Sequence, residues 1–242
     1  MKQKIIENIK TIFYALLIAL IIRSLFFQPF YIPSSSMEPS LLIGDRLFVS
    51  KYSYGYSRHS LPFSPTTSNK RIFSKIPTRG DVIVFKTPAD NRTDYIKRLI
   101  GLPGDRIKIL NYELYINDKK VKKVSTNSNT QINCGNQILD IDFFEETLPN
   151  GKTYIAAYRK EGSMKETDLF VVPENHYFFM GDNRDCSKDS RFLSSVGYVN
   201  FNNLVGNAKF TFFSNDKKVA SFYEIWKWSK SIRFNRLFKR IN

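Results

Sequence analysis

The sequence predicts a mostly β domain with an inserted smaller subdomain, preceded by one N-terminal transmembrane helix. Three observations predict it. An unbroken apolar run lies near the amino terminus, short segments rich in β-branched and aromatic residues alternate with turn signals, and no long 3.6-residue periodicity occurs between Leu41 and Phe213. With 242 residues, of which 42% are hydrophobic and 24% charged, the chain is able to bury one good core.

The transmembrane anchor is predicted over residues 11–28. Every residue from Ile12 to Ile22 is apolar, and Pro29 ends any helix. The sixteen residues Ile12–Phe27 would form a helix of roughly 24 Å, somewhat short of the ~30 Å hydrocarbon core of a bilayer. Because three lysines precede the run, the positive-inside rule places residues 1–10 in the cytoplasm and the rest of the chain on the far side.

Two other interpretations of this run compete with the anchor. Eleven unbroken apolar residues also suit a buried helix of a soluble protein. A cleaved signal peptide fits the basic start, but its cleavage site needs small residues where the chain has Arg23, Phe26, Phe27 and Gln28. We therefore favour the anchor.

The main β domain is predicted over residues 29–120 and 169–216. Beyond the anchor, strands are predicted at Arg46–Val49, Asp81–Phe85, Arg106–Leu110, Glu113–Ile116, Tyr154–Ala157, Leu169–Val172, Tyr177–Met180 and Lys209–Phe213. Turn signals separate them at Gly44-Asp45, Gly80-Asp81, Gly104-Asp105 and Asn117-Asp118. Ser57–Ser68 is predicted to be a surface loop. The polar, Asn-rich and weakly patterned residues 121–168 are predicted to be the inserted subdomain.

The formal net charge of +15 is compatible with a polyanionic partner, either nucleic acid or anionic lipid, but also with a composition that is simply rich in lysine and asparagine. Residues 217–242 carry eight basic residues against Glu224 alone, with aromatic residues interleaved. This mixture suits a segment that lies on anionic lipid, and equally a tail that packs its aromatic residues on the domain.

Two cysteines, Cys134 and Cys186, do not make a disulfide framework, although they could pair in an oxidising compartment. With only His59 and His176 besides, no cluster has the spacing of zinc ligands, so we expect neither a metal nor a cofactor.

Three motifs carry the chemistry. They are Ile32-Pro33-Ser34-Ser35-Ser36-Met37-Glu38-Pro39-Ser40-Leu41, the segment Asp94–Asp105 with Lys97, and Gly181-Asp182-Asn183-Arg184-Asp185-Cys186-Ser187-Lys188-Asp189-Ser190-Arg191. In this order, behind a single anchor, they resemble the conserved boxes of bacterial type I signal peptidases. Arg79–Phe85 and Leu204-Val205-Gly206 match two further boxes. The resemblance is weak across residues 120–168.

The resemblance implies a signal-peptidase-like β domain and a Ser–Lys protease. Ser36 would be the nucleophile and Lys97 the general base, with Ser34 contributing to the oxyanion hole beside the backbone N–H of Ser36. Ser187 would orient Lys97, and Asp189 and Arg191 would brace the loop. The substrate pockets would be lined by Phe30, Ile32, Met37, Leu41, Val84, Tyr95 and Ile96. Cys186 departs from the family pattern, in which many members have Asn or another small polar residue.

The residues support this chemistry independently. A serine hydroxyl is a poor nucleophile until a neighbour removes its proton, and a lysine can do so near neutral pH only if its pKa falls from ~10.4 to about 8. Burial imposes such a shift, which corresponds to about 3 kcal/mol. Apolar and aromatic neighbours surround Lys97, whereas we expect Arg98 to lie on the other face of the strand and to stay solvated.

The predicted function is that of a membrane-bound serine endopeptidase of the bacterial inner membrane. Its partners would be membrane lipid and the signal peptides of exported preproteins, cut after small-x-small motifs, and not nucleic acid. The oligomeric state stays open. Two alternatives remain: a Ser–Lys self-cleaving regulator, and a non-enzymatic membrane-bound protein that binds polyanions.

Overall fold

The computed structural model of the chain describes residues 2–60, 70–135, 137–216, 219–220 and 223–241. Most of the predicted loop Ser57–Ser68, including Pro62 and Pro65, lies outside the described residues, as does Phe222 of the tail. At the start of this loop, Arg58–Ser60 form a single turn of 3₁₀ helix.

The amino-terminal helix α1 (Lys2–Leu25) is longer than the predicted anchor, because residues 2–10 continue the helix in front of the apolar run. Its 24 residues correspond to about 36 Å, enough to cross a bilayer. None of its apolar window is buried against the rest of the chain, which contradicts the alternative of a core helix. The helix ends at Leu25, two residues before the predicted Phe27 and three before the predicted end of the anchor at residue 28, because Phe27 already begins a strand.

The described residues form fifteen strands and a second short helix. The strands are β1 (Phe27–Tyr31), β2 (Asp45–Ser50), β3 (Val82–Lys86), β4 (Asp94–Gly101), β5 (Arg106–Leu110), β6 (Glu113–Ile116), β7 (Lys119–Lys120), β8 (Lys122–Cys134), β9 (Gln137–Thr147), β10 (Thr153–Arg159), β11 (Phe170–Val171), β12 (His176–Met180), β13 (Val199–Asn200), β14 (Leu204–Ser214) and β15 (Lys239–Arg240). Helix α2 (Trp228–Ser231) lies before β15. The prediction of a mostly β chain is confirmed.

The strands form three antiparallel sheets. The largest has the order β1-β2-β14-β3-β4-β12-β13, with β15 also paired to β14; the others are β11-β5-β6-β7 and β10-β9-β8. Every predicted strand is present; β5 and β6 have the predicted bounds, and the bounds of the others are shifted by a few residues. The turn signals are also real: Gly44 has φ +97°, and a Cβ there would lie 2.0 Å from the Asn215 carbonyl oxygen, so only glycine fits.

The Asn-rich segment contains the long hairpin β8–β9, which the predicted strands do not include. Most of β8 is solvent-exposed, so its residues lack the alternation of apolar and polar positions that marks a half-buried strand. The third strand of this sheet, β10, places Tyr154, Ala156 and Tyr158 in the same hydrophobic cluster as Ile100 and Phe178. The sheet therefore packs on the main domain; the division at residues 121 and 168 stays a prediction.

The tail packs on the domain at several points and is exposed at others. The Arg236 guanidinium is buried and binds the Asp45 carboxylate, with Nε–Oδ1 at 3.0 Å and Nη2–Oδ2 at 2.5 Å. In contrast, Tyr223, Trp226 and Phe238 are each more than 70% exposed. The structure of this segment is compatible both with a tail packed on the domain and with a segment lying on anionic lipid, and its contact with lipid stays a proposal.

Candidate active site

Ser36 lies in the turn that follows β1. The residues after Ser36 hold this turn in place. Met37 and Leu41 are completely buried in a hydrophobic cluster with Leu47 and Val49 of β2. The Leu41 N–H also donates a hydrogen bond to the Met37 carbonyl oxygen at 2.9 Å. The carbonyl of Ser36 accepts a hydrogen bond from the backbone N–H of Asn183 at 3.2 Å. The turn is thereby fixed from both sides, and the Ser36 side chain is nearly buried.

Lys97 lies in the middle of β4, opposite Ile83 of β3. Its Nζ is 2.7 Å from Ser36 Oγ and 3.0 Å from the carbonyl oxygen of Ile96. Only 3% of the lysine is exposed, and the Tyr95 ring lies 5.4 Å from the amine. The turn and the strand therefore bring together two residues that are 61 positions apart in the chain.

Burial lowers the pKa of Lys97 from 10.5 to about 8. The carboxylates of Asp189 and Asp182 raise this pKa, and the Arg191 guanidinium lowers it, but both effects are smaller than that of burial. A substantial fraction of the amine is therefore neutral slightly above physiological pH. A neutral amine that contacts a serine hydroxyl is able to accept its proton.

Two further serines were predicted to assist this pair. Ser34 Oγ lies 3.4 Å from Ser36 Oγ, on the rim of the same site. Ser187 is buried, with its hydroxyl near the Asp189 carboxylate, yet it makes no hydrogen bond of regular geometry to any described residue, Lys97 included. The predicted role of Ser187 in orienting Lys97 thus stays a prediction without a direct contact.

Asp189 and Arg191 form the centre of the loop between β12 and β13. Asp189 is fully buried and accepts hydrogen bonds from the Gly181 N–H at 2.9 Å and from Arg191 Nε at 2.8 Å. Burial by itself would raise the pKa of Asp189, but the Arg191 guanidinium, together with the hydrogen bonds that Asp189 accepts, offsets this, so the pKa is lowered and the carboxylate stays charged. The hydrogen bond from Gly181 ties the start of the loop to its centre, and the ion pair holds Arg191 against Asp189.

Gly181 is a site residue that the sequence reasoning did not single out. A Cβ at this position would lie 2.3 Å from Ser187 Oγ and 2.4 Å from the Ser36 carbonyl oxygen. Only a glycine therefore allows the loop to approach the nucleophile turn this closely. The glycine that opens the third motif was the available signal, but nothing in the sequence showed which atoms it approaches.

The prediction that Arg98 stays solvated is wrong. Arg98 is 1% exposed, and its Nε and Nη2 each lie 2.7 Å from an oxygen of the Asp182 carboxylate. A second buried pair, Arg184 with Glu146, lies behind the loop, where Tyr154 Oη and Tyr158 Oη also donate to the carboxylate. Sequence reasoning missed Glu146, because it lies in the weakly patterned segment and carries no motif.

A cavity of about 420 Å³ opens at the pair of Ser36 and Lys97. Its described lining is Phe30, Tyr31, Ile32, Pro33, Ser34, Ser36, Val84, Thr93, Asp94, Tyr95, Ile96, Lys97, Cys186 and Lys188. Five of the seven residues predicted to bind substrate are in this lining. Met37 and Leu41 are not, because their side chains point into the core beneath the turn, with none of their surface exposed.

The two cysteines form a disulfide, with 5.5 Å between their Cα atoms. The sequence left this pairing open. Cys186 also lines the cavity, so this departure from the family pattern touches the site itself. Among the described residues, no group of three or more His, Cys, Asp and Glu side chains is able to hold a metal ion.

Comparison with known proteins shows the family of the chain. The family model for signal peptidase, peptidase S26, matches residues 5–213. The signal peptidase I of Rickettsia bellii (strain OSU 85-389) is 41% identical over 249 residues, which cover 96% of this chain and 84% of the relative. That of Rickettsia canadensis (strain McKiel) is 42% identical over 250 residues, covering 96% and 92%.

A crystal structure of a signal peptidase I from Enterococcus faecalis V583 aligns with a TM-score of 0.32 and 30% sequence identity, covering 55% of this chain and 97% of that structure. The family match spans most of the chain, including all three motifs. The chain therefore belongs to the signal peptidase family, peptidase S26, and is a protease that processes signal peptides.

Proposed function

We propose that this chain is a membrane-anchored endopeptidase that removes signal peptides from exported preproteins, with Ser36 as nucleophile and Lys97 as general base. The observation that carries the proposal is the 2.7 Å contact between Ser36 Oγ and a buried Lys97 amine whose pKa is lowered to about 8. The contact is within hydrogen-bond reach, and the pKa is close to working pH, as a general base requires.

The proposed reaction begins when Lys97 Nζ takes the proton of Ser36 Oγ as the oxygen attacks the scissile carbonyl carbon. Negative charge then develops on the carbonyl oxygen, where the Ser34 hydroxyl and the Ser36 N–H would donate hydrogen bonds. The Lys97 ammonium next gives its proton to the leaving amine, and the C–N bond breaks to leave an ester on Ser36. Water, deprotonated by Lys97, hydrolyses this ester and restores the hydroxyl.

The shape of the sheet supports binding of an extended substrate beside β4. Strand β3 pairs with β4 from Asp94 to Arg98, whereas β12 pairs with β4 only from Arg98 onwards. The second edge of β4 around Tyr95 and Ile96 therefore has no strand partner in the described part of the chain. A signal peptide would add there as an antiparallel or parallel strand, with main-chain hydrogen bonds providing affinity.

The same cavity supports a preference for small residues at the −1 and −3 positions. Next to Ser36, the lining is mainly apolar, with Phe30, Ile32, Val84 and Ile96 around it. A side chain that enters beside these residues loses water contact, so a small apolar one such as alanine is buried there without leaving a polar group unpaired.

Helix α1 supports the proposed location. It is long and apolar enough to cross a membrane, and the basic residues at its amino terminus favour an orientation that leaves the catalytic domain on the extracytoplasmic side of the inner membrane. A signal peptide is itself held in the bilayer. Tethering enzyme and substrate to one surface raises their effective concentration.

A cleavage assay tests the assignment of the pair. With a purified preprotein bearing Ala-x-Ala before the cleavage site, Ser36→Ala and Lys97→Ala should each lower kcat/KM by at least about four orders of magnitude. The matched controls are Ser194→Ala and Lys119→Ala, which change exposed residues of the same types and should cleave like the unaltered enzyme. Activity retained in either site variant would refute the Ser–Lys assignment.

The role of Ser34 is tested separately. Ser34→Ala removes one donor to the developing oxyanion, so we expect kcat to fall by about 10²–10³ while KM changes little. An unchanged kcat would remove Ser34 from the oxyanion hole and leave the pair of Ser36 and Lys97 unaffected.

A further inference from the structure

The disulfide joins the far end of a hairpin to the loop that carries the proposed assisting serine. Cys134 is the last residue of β8, and Cys186 lies 52 positions later, directly before Ser187. The two strands β8 and β9 are otherwise paired to each other and to β10, not to the large sheet. The covalent bond therefore brings the tip of an exposed hairpin onto the wall of the active-site cavity, which Cys186 lines.

The residue before the nucleophile meets the same point. Ser35 is 4% exposed, and its hydroxyl donates to the Asn133 carbonyl oxygen at 2.7 Å. Its Oγ is also 3.2 Å from Cys186 Sγ. Three separate segments, namely the nucleophile turn, the end of β8 and the loop after β12, are therefore in contact beside Ser36.

The other attachments of this loop lie on either side of the disulfide. Before it, the Asn183 N–H binds the Ser36 carbonyl, and the Arg159 N–H binds the Asp185 carboxylate at 2.8 Å. After it, Asp189 binds Gly181 and Arg191. Between them, the backbone of residues 186–188 makes no hydrogen bond to the described part of the chain. Besides the packing of Ser187 against Gly181, the disulfide and its contact with Ser35 are thus what attaches this stretch to the other segments.

We propose that the Cys134–Cys186 disulfide and the Ser35 hydroxyl act together as a positioning device, which holds residues 186–188 against the pair of Ser36 and Lys97 and closes one wall of the substrate cavity. This inference rests on the proposed roles of Ser36 and Lys97. It assigns Cys134, Cys186 and Ser35 no contact with reacting atoms; they act through the loop. An extracytoplasmic location, where disulfides persist, is compatible with this role.

Two consequences follow if the attachment is cut. Residues 186–188 are free to move away, and water gains access to the Lys97 amine, which is now almost fully buried. A better hydrated amine binds its proton more tightly, so the pH at which activity rises should move upwards. The cavity wall at Cys186 is also displaced, and misplacement of reacting groups lowers kcat.

The experiment compares the full-length enzyme in detergent with its Cys134→Ser/Cys186→Ser variant on the Ala-x-Ala preprotein. We expect kcat to fall about tenfold, and the midpoint of the rising pH limb to move up by about half a pH unit or more. A purely structural disulfide would lower only the melting temperature. Unchanged kcat and an unchanged pH midpoint would therefore overturn the proposal.

Reversible reduction keeps the test independent of how well the variant folds. A phosphine reductant should reproduce both changes in the unaltered enzyme, reoxidation should reverse them, and the cysteine-free variant should not respond. Ser35→Ala, which keeps the disulfide, should shift kcat and the midpoint in the same direction by smaller amounts. If reduction leaves the enzyme unchanged, the proposal fails; if the oxidised, unaltered enzyme does not cleave the preprotein, the proposed function fails instead.

Discussion

Lys97 and Arg98 are adjacent in β4 and equally buried, yet their environments have opposite consequences. Arg98 meets the Asp182 carboxylate through two contacts of 2.7 Å. Burial alone would lower the pKa of Arg98, but Asp182 raises it, so this residue stays charged. Lys97 has no carboxylate of the described residues within ion-pair distance, and burial lowers its pKa to about 8. Burial sets the cost of a charge, and the partner decides whether the charge is kept.

A second lysine shows that burial and a lowered pKa do not by themselves make a general base. Lys51 is as buried as Lys97, and burial, followed by the nearby Arg23, lowers its pKa to about 8 as well. Its Nζ, however, donates to the Ser60 carbonyl oxygen at 2.6 Å, and no serine or threonine hydroxyl of the described residues lies within hydrogen-bond distance of it. What distinguishes Lys97 is the Ser36 hydroxyl at 2.7 Å.

The largest expected effect comes from replacing the unpaired base. Lys97→Met should abolish cleavage, lowering kcat/KM by at least about four orders of magnitude, because among the described residues Lys97 alone has an amine within hydrogen-bond distance of Ser36 Oγ. Lys51→Met serves as the matched control, since it removes a lysine of similar burial and pKa outside the site, and it should retain activity. Cleavage of the preprotein in detergent measures both. If both variants lose activity, the contact of Lys97 with Ser36 is not what distinguishes the two lysines, and the assignment of Lys97 as the base is contradicted.

Lys97→Met should also be more stable than the unaltered enzyme at neutral pH. The pKa of Lys97 is lower in the folded chain, about 8, than in the unfolded chain, 10.5. Its cost to folding is therefore complete below pH 8 and disappears as the pH rises to 10.5. Lys97→Met should raise the free energy of unfolding at pH 7 by up to about 3 kcal/mol, and the gain should vanish near pH 10.5. A gain that does not depend on pH would contradict the lowered pKa.

Breaking the ion pair of Arg98 with Asp182 should instead lower the stability of the fold. Arg98→Met leaves the Asp182 carboxylate buried and uncompensated, so the free energy of unfolding should fall by about 3–5 kcal/mol. Adding Asp182→Leu should recover most of this loss, because no unpaired charge then remains. The control is Arg106→Met, which breaks an exposed pair with Asp118 and should cost less than about 1 kcal/mol. Equal losses for Arg98→Met and the double variant would show that the pair does not act through charge compensation.

How far the sequence predicts this comparison depends on where the partners lie. The burial of Lys97 could be predicted, because its neighbours in the chain, among them Tyr95 and Ile96, are apolar or aromatic. The burial of Arg98 could not be predicted, because its partner Asp182 is 84 positions away and the residues next to Arg98 in the sequence do not indicate this pairing. The same holds for Arg184 and Glu146, which are 38 positions apart. Local composition predicts desolvation, whereas charge compensation is a property of the tertiary fold.

The fold shows the same limit. Strands with one buried face, such as β5 and β6, were predicted with their observed bounds, because they carry β-branched and aromatic residues between turns. The hairpin β8–β9 was not, since an exposed strand needs no apolar alternation. Met37 directly follows Ser36 and Leu41 comes four residues later, but both point into the core, because a turn directs successive side chains to different sides. Proximity in sequence therefore did not establish which residues line the cavity.

The smallest expected effect is the pH dependence of the reaction, and it separates the two lysines most sharply. The neutral form of Lys97 is the active one, so kcat/KM should rise about tenfold per pH unit below pH 8 and level off above it. Lys51 has a pKa near the same value, so a midpoint near 8 alone does not identify the titrating residue. If the midpoint belongs to Lys97, it will be unchanged in Lys51→Met, because that lysine does not contact Ser36. If the midpoint disappears in Lys51→Met, or if the profile of the unaltered enzyme is flat from pH 6 to 9, Lys97 is not the general base. The absence of a carboxylate partner beside Lys97 among the described residues would then not serve the reaction.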